Sequence, residues 1–476
     1  MQSASLMEML TALQEDMTTS SPTTISPTII PSASPSSSPP TTRYTLYRNT
    51  ETPTTATPTE VATTQIASSS YTTTSATTEK TMNVTVGAYY YPWHGRNFHN
   101  DQGYLRAQLY PKQGPELGEY DDTKQHTIEK HLEFSDIGNI GVWITSWWGP
   151  ERREDTTTQD TIMKFVEEEG HPLKIALFYE STSRLKVNKK WALDEDRVRE
   201  DIRYISEEYF EHFDNYYTID GKPVLFLYLA RKLETIGDYQ KGESLLQRTV
   251  ALMRETATMD IYIVGDHAFD RYPSIKVRAT SEKAAMFNSS LHVLDAISNY
   301  DVYGSIIGPT NGNVSYAGQE RMDNYYLKHQ QTWKDVAAEH GCAYVPSVKP
   351  GFNNRGVRNP GHTPLSRRLT PESPEGSFFE TSLENALQLV DEKADHLIMV
   401  TSFNEWHEDT QIEPVQVTEV ETTEPYDLTF GLPYVGYGTL YLDILRNATT
   451  MTTAAAAATA TAITTTTTTT TIIPSK

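Results

Sequence analysis

The sequence predicts an α/β protein: a single (β/α)8 TIM barrel with disordered N- and C-terminal tails. Two patterns carry that prediction. Between about Val84 and Asn447, eight short runs of apolar, β-branched and aromatic residues alternate with longer stretches of helical periodicity. Strands alternating with helices imply parallel pairing, and eight is the number that closes such a barrel. On either side the composition changes to Ser, Thr, Pro and Ala, with an unbroken threonine run from Thr464 to Thr471. Such segments have too little apolar side chain to offset their ordering entropy. The expected organisation is a Ser/Thr/Pro-rich tail over 1–81, the barrel over 82–447 and a low-complexity tail over 448–476.

In chain order, the first predicted strand, Val86–Tyr91, mixes small, β-branched and aromatic residues. Ile140–Ser146, Lys174–Tyr179 and Pro223–Tyr228 are nearly continuous apolar runs, as strands covered on both faces are. Ile261–Gly265 and Ala296–Tyr300 are shorter, with irregular helical filler around them. Ala343–Val348 and Leu397–Thr401 complete the set. The predicted helices between them are Thr123–Ile137, Thr158–Glu169, Asp194–His212, Gly242–Thr256, Glu320–His340 and Glu380–Asp395. An open doubly wound sheet is the alternative arrangement of the same elements.

Composition removes several function classes. The 476-residue chain has 40 Lys and Arg against 62 Asp and Glu, a net charge of −22. That is the wrong sign for neutralising nucleic-acid phosphates or binding an anionic membrane. Cys342 is the only cysteine, so an intrachain disulfide and a Cys-rich zinc site are both excluded, and it reads as a small core residue. No stretch reaches the roughly 20 apolar residues of a membrane span. Met1 to Met17 lack the basic start and apolar core of a secretory signal peptide. There is no P-loop, no GxGxxG before a helix, no HExxH and no GxSxG.

In a parallel barrel the chemistry sits at the C-terminal ends of the strands, which turns the strand pattern into a site. The first strand delivers Tyr90, Tyr91 and Trp93, the second Trp147 and Trp148, the third Glu180, the fourth Tyr228 and the sixth Tyr300. The eighth delivers Asn404, Glu405, Trp406, His407 and Glu408. Aromatic rings stack on the C–H faces of sugars, and carboxylates, Asn and His bond their hydroxyls, so this mouth is predicted to take an oligosaccharide or polysaccharide. For each aromatic the competing reading is core packing, and of three successive tyrosines at least one must point out of the lumen. Glu405 and Glu408 share one face if the chain turns helically, with Cβ atoms about 5–6 Å apart. That suits a retaining glycosidase, whose two carboxyls stand about 5–5.5 Å apart. A solvated acidic turn is the alternative, since Asp409 and Glu413 follow. Arg355, on the loop after the seventh strand, is expected to orient a carboxylate or a sugar hydroxyl.

These residues resemble a known family. Val400 through Glu408, continued by Thr410-Gln411-Ile412-Glu413, looks like the signature of glycoside hydrolase family 99, the endo-α-1,2-mannosidase family. Tyr90-Tyr91 with Trp93 and Gly95, Pro115-Glu116-Leu117-Gly118 with Tyr120, Ile140 through Trp147, Glu180, Pro346-Ser347-Val348 with Pro350-Gly351, and Glu380-Thr381 with Ala386-Leu387 recur in the family's order. The match runs from about Val86 to Leu445.

The resemblance implies a (β/α)8 barrel and a metal-independent, cofactor-free, retaining endo-mannosidase. In that family pattern the residue matching Glu405 is the base on the substrate's own 2-hydroxyl, and the residue matching Glu408 is the general acid/base. It also implies Golgi glycan processing, although the sequence shows no signal peptide or anchor. This chain departs from the pattern at His94, Ser181, Phe226, the loop Phe352 to Arg358, and Asp409. The last is expected to raise the pKa of Glu408 if it points inward. A glycanase for another α-linked polysaccharide and a non-catalytic sugar-binding barrel are the alternatives.

Overall fold

The computed structural model describes residues 83–100, 103–238, 243–268, 291–307, 315–358 and 361–450. Both predicted tails fall outside this set, apart from the last turn of a helix spanning 440–450. Among the described residues no helix is long and apolar enough to cross a membrane.

All eight predicted strands are present and parallel: β1 (Thr85–Tyr90), β2 (Val142–Trp147), β3 (Lys174–Tyr179), β4 (Lys222–Leu227), β5 (Tyr262–Asp266), β6 (Ala296–Ser298), β7 (Ala343–Val345, resuming at Ser347–Val348) and β8 (Leu397–Val400). Each pairs with its sequence neighbours, and β8 returns to β1 through Ala88↔Val400. The barrel is therefore closed, and the open-sheet alternative is excluded.

The seam is the seventh strand. Its first piece pairs with β6 and its second with β8. Pro346 separates them, because it has no N–H to give a ladder. The Pro346 carbonyl still accepts from the Met399 N–H at 2.9 Å.

Helices cover the outside. α1 (Gln125–Gly138) lies between β1 and β2 and stops at Asn139, in the left-handed conformation. α2 starts at Arg153, five residues before the predicted position, and continues through a π turn at Thr158–Met163 to Lys164–Glu168. α3 (Glu195–Ile205) is capped by the Asp194 side chain, which accepts from the Arg197 N–H. α4 is Ala230–Glu234. α5 (Leu245–Thr256) starts on a Ser244/Gln247 capping box, and α6 is Val302–Ile307. α7 comprises Gly318–Asp323, a π segment at Asn324–Gln330 and Gln331–Glu339. α8 (Ser377–Ala386) is shorter than predicted. The chain leaves helical geometry at Val390, and Asp391 caps a separate turn by accepting from Lys393 N–H while also taking the Tyr344 N–H. A short acidic side chain competing for backbone donors ends the helix there.

Alternation along the strands sorts the aromatics. Tyr89 faces the lumen, with its ring centroid 4.8 Å from Phe178 and 5.0 Å from Tyr300. Phe226 and Tyr228 complete a packed aromatic floor beneath the C-terminal mouth. Tyr90 faces outward and stacks on Trp143 at 4.4 Å.

Candidate active site

β8 ends at Val400 and the chain then folds back on itself. Ser402 N–H donates to the Thr410 carbonyl (2.9 Å), Ile412 N–H to that of Ser402 (3.0 Å) and Glu413 N–H to that of Phe403 (2.9 Å). Phe403 N–H donates to the Tyr89 carbonyl at 2.8 Å, which ties this loop to the end of β1. Within the loop Trp406–Glu408 forms a single 3-10 turn. Glu405 precedes this turn as its cap and Glu408 ends it, close enough that the charge of Glu408 acts on Glu405.

Glu405 caps the turn. Its Oε1 accepts from His407 N–H at 2.8 Å, and its own N–H donates to Ser402 Oγ at 2.8 Å. Glu405 Oε2 and Glu408 Oε1 are buried and have no hydrogen-bond partner among the described residues. Burial, then the neighbouring Glu408, pushes the Glu405 carboxyl well above the ordinary range, against backbone N–H groups and Lys349 that pull it down. Burial raises Glu408 too, with Asp301 adding and Lys349 and Arg358 opposing. Two adjacent buried carboxyls cannot both ionise cheaply, so the pair holds a proton more tightly than an isolated carboxyl does.

A third carboxyl stands opposite, at the end of β3. Glu180 Oε1 accepts from Ser146 Oγ at 2.7 Å, Trp148 Nε1 donates to that same Oγ, and Glu180 Oε2 is buried and unpartnered. Burial chiefly raises the Glu180 pKa to about 8, so it is mostly a neutral donor at pH 7. Tyr91 and Tyr300 meet through their hydroxyls at 2.5 Å, and Tyr228 packs against Tyr300. Trp93 packs at a tilt against Tyr91, with ring centroids 4.4 Å apart. The structure thus gathers Tyr91, Trp93, Glu180, Tyr228, Tyr300, Glu405 and Glu408.

Five other predicted site residues go elsewhere. Tyr90 lies on the outer face of β1, where its hydroxyl donates to Asp122 (3.2 Å) and meets His131 Nδ1 (2.8 Å). Trp147 also points outward, donating to Asp155 Oδ1 at 2.7 Å and stacking on Tyr179. Asn404 uses both amide atoms on the backbone of Tyr91 and so joins the loop to β1. Trp406 donates to Glu413 Oε2 at 2.8 Å and packs against Phe98 and Tyr104. His407 meets His99 Nδ1 at 2.6 Å through Nε2 and the Gly103 carbonyl at 3.1 Å through Nδ1, which fastens the segment before β2. Burial holds its pKa down to about 4, so it is neutral.

Two further expectations are corrected. Asp409 turns away from Glu408, because Arg106 Nε at 2.5 Å and Arg367 Nε at 3.3 Å claim its carboxylate. Those guanidiniums hold it below the usual carboxylate range. Arg355 is a loop anchor, donating to the Asp427 carbonyl at 2.7 Å and to those of Gly361 and His362. Cys342 is buried at the start of β7, as expected of a core residue.

Sequence reasoning missed three polar residues. Asp266, the last residue of β5, accepts from Tyr300 N–H (2.8 Å) and Leu229 N–H (3.1 Å), and burial raises its pKa to about 7. The signal was there, but the predicted strand stopped one residue short. Lys349 directly follows β7 and is 1% exposed, with Nζ 3.8 Å from Asp301 and lying over the Tyr300 and Phe352 rings. Arg358 lies on the same loop. A groove of about 570 Å³ between Asp220, Arg254, Tyr262, Asp295, His340 and Lys393 opens at the opposite, N-terminal end of the strands. It is remote from the carboxyl pair.

A closed parallel barrel with buried carboxyls at its C-terminal end is an architecture that glycoside hydrolases use, and the family match makes this chain one. The chain belongs to glycosyl hydrolase family 99, whose family model matches residues 75–252 and 315–443. It is 24% identical over 394 residues to the glycoprotein endo-alpha-1,2-mannosidase of Mus musculus, covering 77% of this chain and 74% of that protein. It is 22% identical over 364 residues to the glycoprotein endo-alpha-1,2-mannosidase-like protein of Homo sapiens, covering 74% and 66%. The solved GH99 endo-alpha-mannosidase of Bacteroides thetaiotaomicron in complex with bis-tris-propane superposes with a TM-score of 0.51 at 20% identity, over 79% of this chain and 98% of that one.

Proposed function

We propose that this enzyme cleaves α-1,2-mannosidic linkages within mannose-containing glycans with retention, and that high-mannose N-glycans of the secretory pathway are its substrate class. The observation that carries the reading is the pair Glu405, which caps the 3-10 turn, and Glu408, which ends it, each presenting a buried oxygen without a partner among the described residues. Ionised Glu405 takes the proton of the substrate's 2-hydroxyl. That oxygen attacks C1 while the C1–O bond to the departing sugar breaks, and protonated Glu408 gives its proton to the leaving oxygen. Glu408 then removes a proton from water as the water oxygen opens the 1,2-anhydro ring at C1, and Glu405 returns the proton to O2. The nucleophile is tethered at the reacting carbon, so its effective concentration is very high, and the protein need only transfer protons.

The shared environment supports proton transfer by the pair. Burial raises both carboxyls; backbone N–H groups and Lys349 oppose it at Glu405, and Lys349 and Arg358 oppose it at Glu408, so the roles follow the family pattern and a bound substrate sets which of the two holds the proton. Tyr91, Trp93, Tyr228, Tyr300 and neutral Glu180 are the proposed substrate contacts. Incubation with a defined α-1,2-linked mannose oligosaccharide, followed by mass analysis of the fragments, tests the reading. Glu408→Gln should lower turnover roughly 100- to 10,000-fold with the unfolding temperature unchanged. A fully active variant would remove Glu408 from the reaction.

A further inference from the structure

We propose that Arg358 binds the leaving-group sugar, its guanidinium donating paired hydrogen bonds to two adjacent hydroxyl oxygens beside Glu408. The proposal rests on the assignment of Glu408 as the acid that protonates the departing oxygen.

The loop that carries Arg358 is fixed at several points. Asn353 N–H donates to the Glu408 carbonyl at 2.7 Å, joining this loop directly to the acid/base turn. Phe352 and Leu365 exchange backbone hydrogen bonds at 3.0 and 2.8 Å. Asn354 takes the Arg358 N–H at 3.0 Å on its carbonyl and the His362 N–H at 3.0 Å on its side chain. Gly356 lies so close to the backbone of Tyr104 and Leu105 that no side chain fits.

At the end of this framework the Nε, Nη1 and Nη2 atoms of Arg358 are all buried and, among the described residues, none has a hydrogen-bond partner. Four other cations at this end, among the described residues, are engaged. Arg106 and Arg367 share Asp409, Arg355 is spent on carbonyls, and Lys349 lies near Asp301 and two rings. A guanidinium offers five N–H groups in a planar fork, and burying that fork unpaired is costly, so it is matched by something that enters. Its charge acts most strongly on Glu408, then Tyr228, then Glu405, which puts it on the Glu408 side of the pair. Among the described residues, acceptors left open across the mouth include Glu180 Oε2, Glu405 Oε2 and Glu408 Oε1. Open donors on one side and open acceptors on the other complement hydroxyl groups, which do both. The concentration of carboxyls favours a neutral polyol over an anion.

The test compares two substrates that share the glycone: the oligosaccharide, and the corresponding α-glycosyl fluoride, whose leaving group has no hydroxyls and needs no proton. Arg358→Ala should lower kcat/KM on the oligosaccharide about 30-fold and on the fluoride less than about 3-fold, with Arg358→Lys intermediate on the oligosaccharide. Equal losses on both substrates, or no loss on the oligosaccharide, would overturn the assignment. If the wild type hydrolysed neither, the functional reading would fail on its own. Calorimetric titration of the oligosaccharide into wild type and Arg358→Ala then decides the Arg358 contact separately: weaker binding by the variant supports it and equal binding refutes it. Arg358→Gln replaces the alanine variant should that one fail to fold.

Discussion

Burial at this mouth acts on individual carboxyls with a definite sign in pH. Glu180, with an unfolded reference of 4.5, is raised to about 8, and Asp266, from 3.8, to about 7. The folded state therefore keeps protons that the unfolded chain releases. The stability these groups provide is complete below about pH 4 and is lost as pH rises through about 8. His407 and His99, held down to about 4 and about 2 by burial, work in the opposite sense: their contribution is complete above 6.5 and is lost on acidification. Between pH 6.5 and 8.5 the carboxyls dominate. Glu180→Gln should therefore flatten the decline of the unfolding temperature over that interval, measured by scanning calorimetry, and an undiminished decline would show that Glu180 is not the group responsible. At this scale the sequence was readable where a polar residue follows a buried strand, as at Glu180, Glu405 and Glu408. It misled at Tyr90 and Trp147, because alternation gives a period of two but not its phase. It was silent on Arg358, because the direction of a side chain on a long loop depends on anchors such as Asp427 and Tyr104 that lie far away in the chain.

The loop after β8 behaves as a unit whose internal bonds hold the carboxyl pair. Ser402 Oγ receives the Glu405 N–H at 2.8 Å and meets Thr410 Oγ1 at 3.0 Å, so one hydroxyl links both sides of the loop. Ser402→Ala leaves the Glu405 N–H buried without an acceptor. It should cost about 1–3 kcal/mol and lower kcat about 10-fold with little change in KM, read from steady-state kinetics alongside thermal unfolding. Loss confined to KM would place Ser402 in substrate binding instead. All eight strands were legible because parallel strands buried on both faces appear as continuous apolar runs. Helix limits were less so. The π turns that lengthen α2 and α7 have no sequence signature, and the predicted helix through Asp395 breaks at an acidic residue whose decisive partner, Tyr344, is on another element. Asn404 and Trp406 looked like ligands because they flank catalytic candidates, whereas their bonds serve the shape of the loop.

At the level of the whole barrel, closure is uneven. β2 and β3 share six register pairs, whereas the seventh strand is held by three to β6 and two to β8. The chain that leaves this divided strand carries Lys349, Arg358 and the Asn353 link to Glu408. The fastening of the ring and the dressing of its catalyst are thus one stretch of polypeptide, and slackening the first disarms the second. As urea rises, hydrolysis should vanish at a lower concentration than tryptophan emission changes; midpoints that coincide would show that the ring parts all at once.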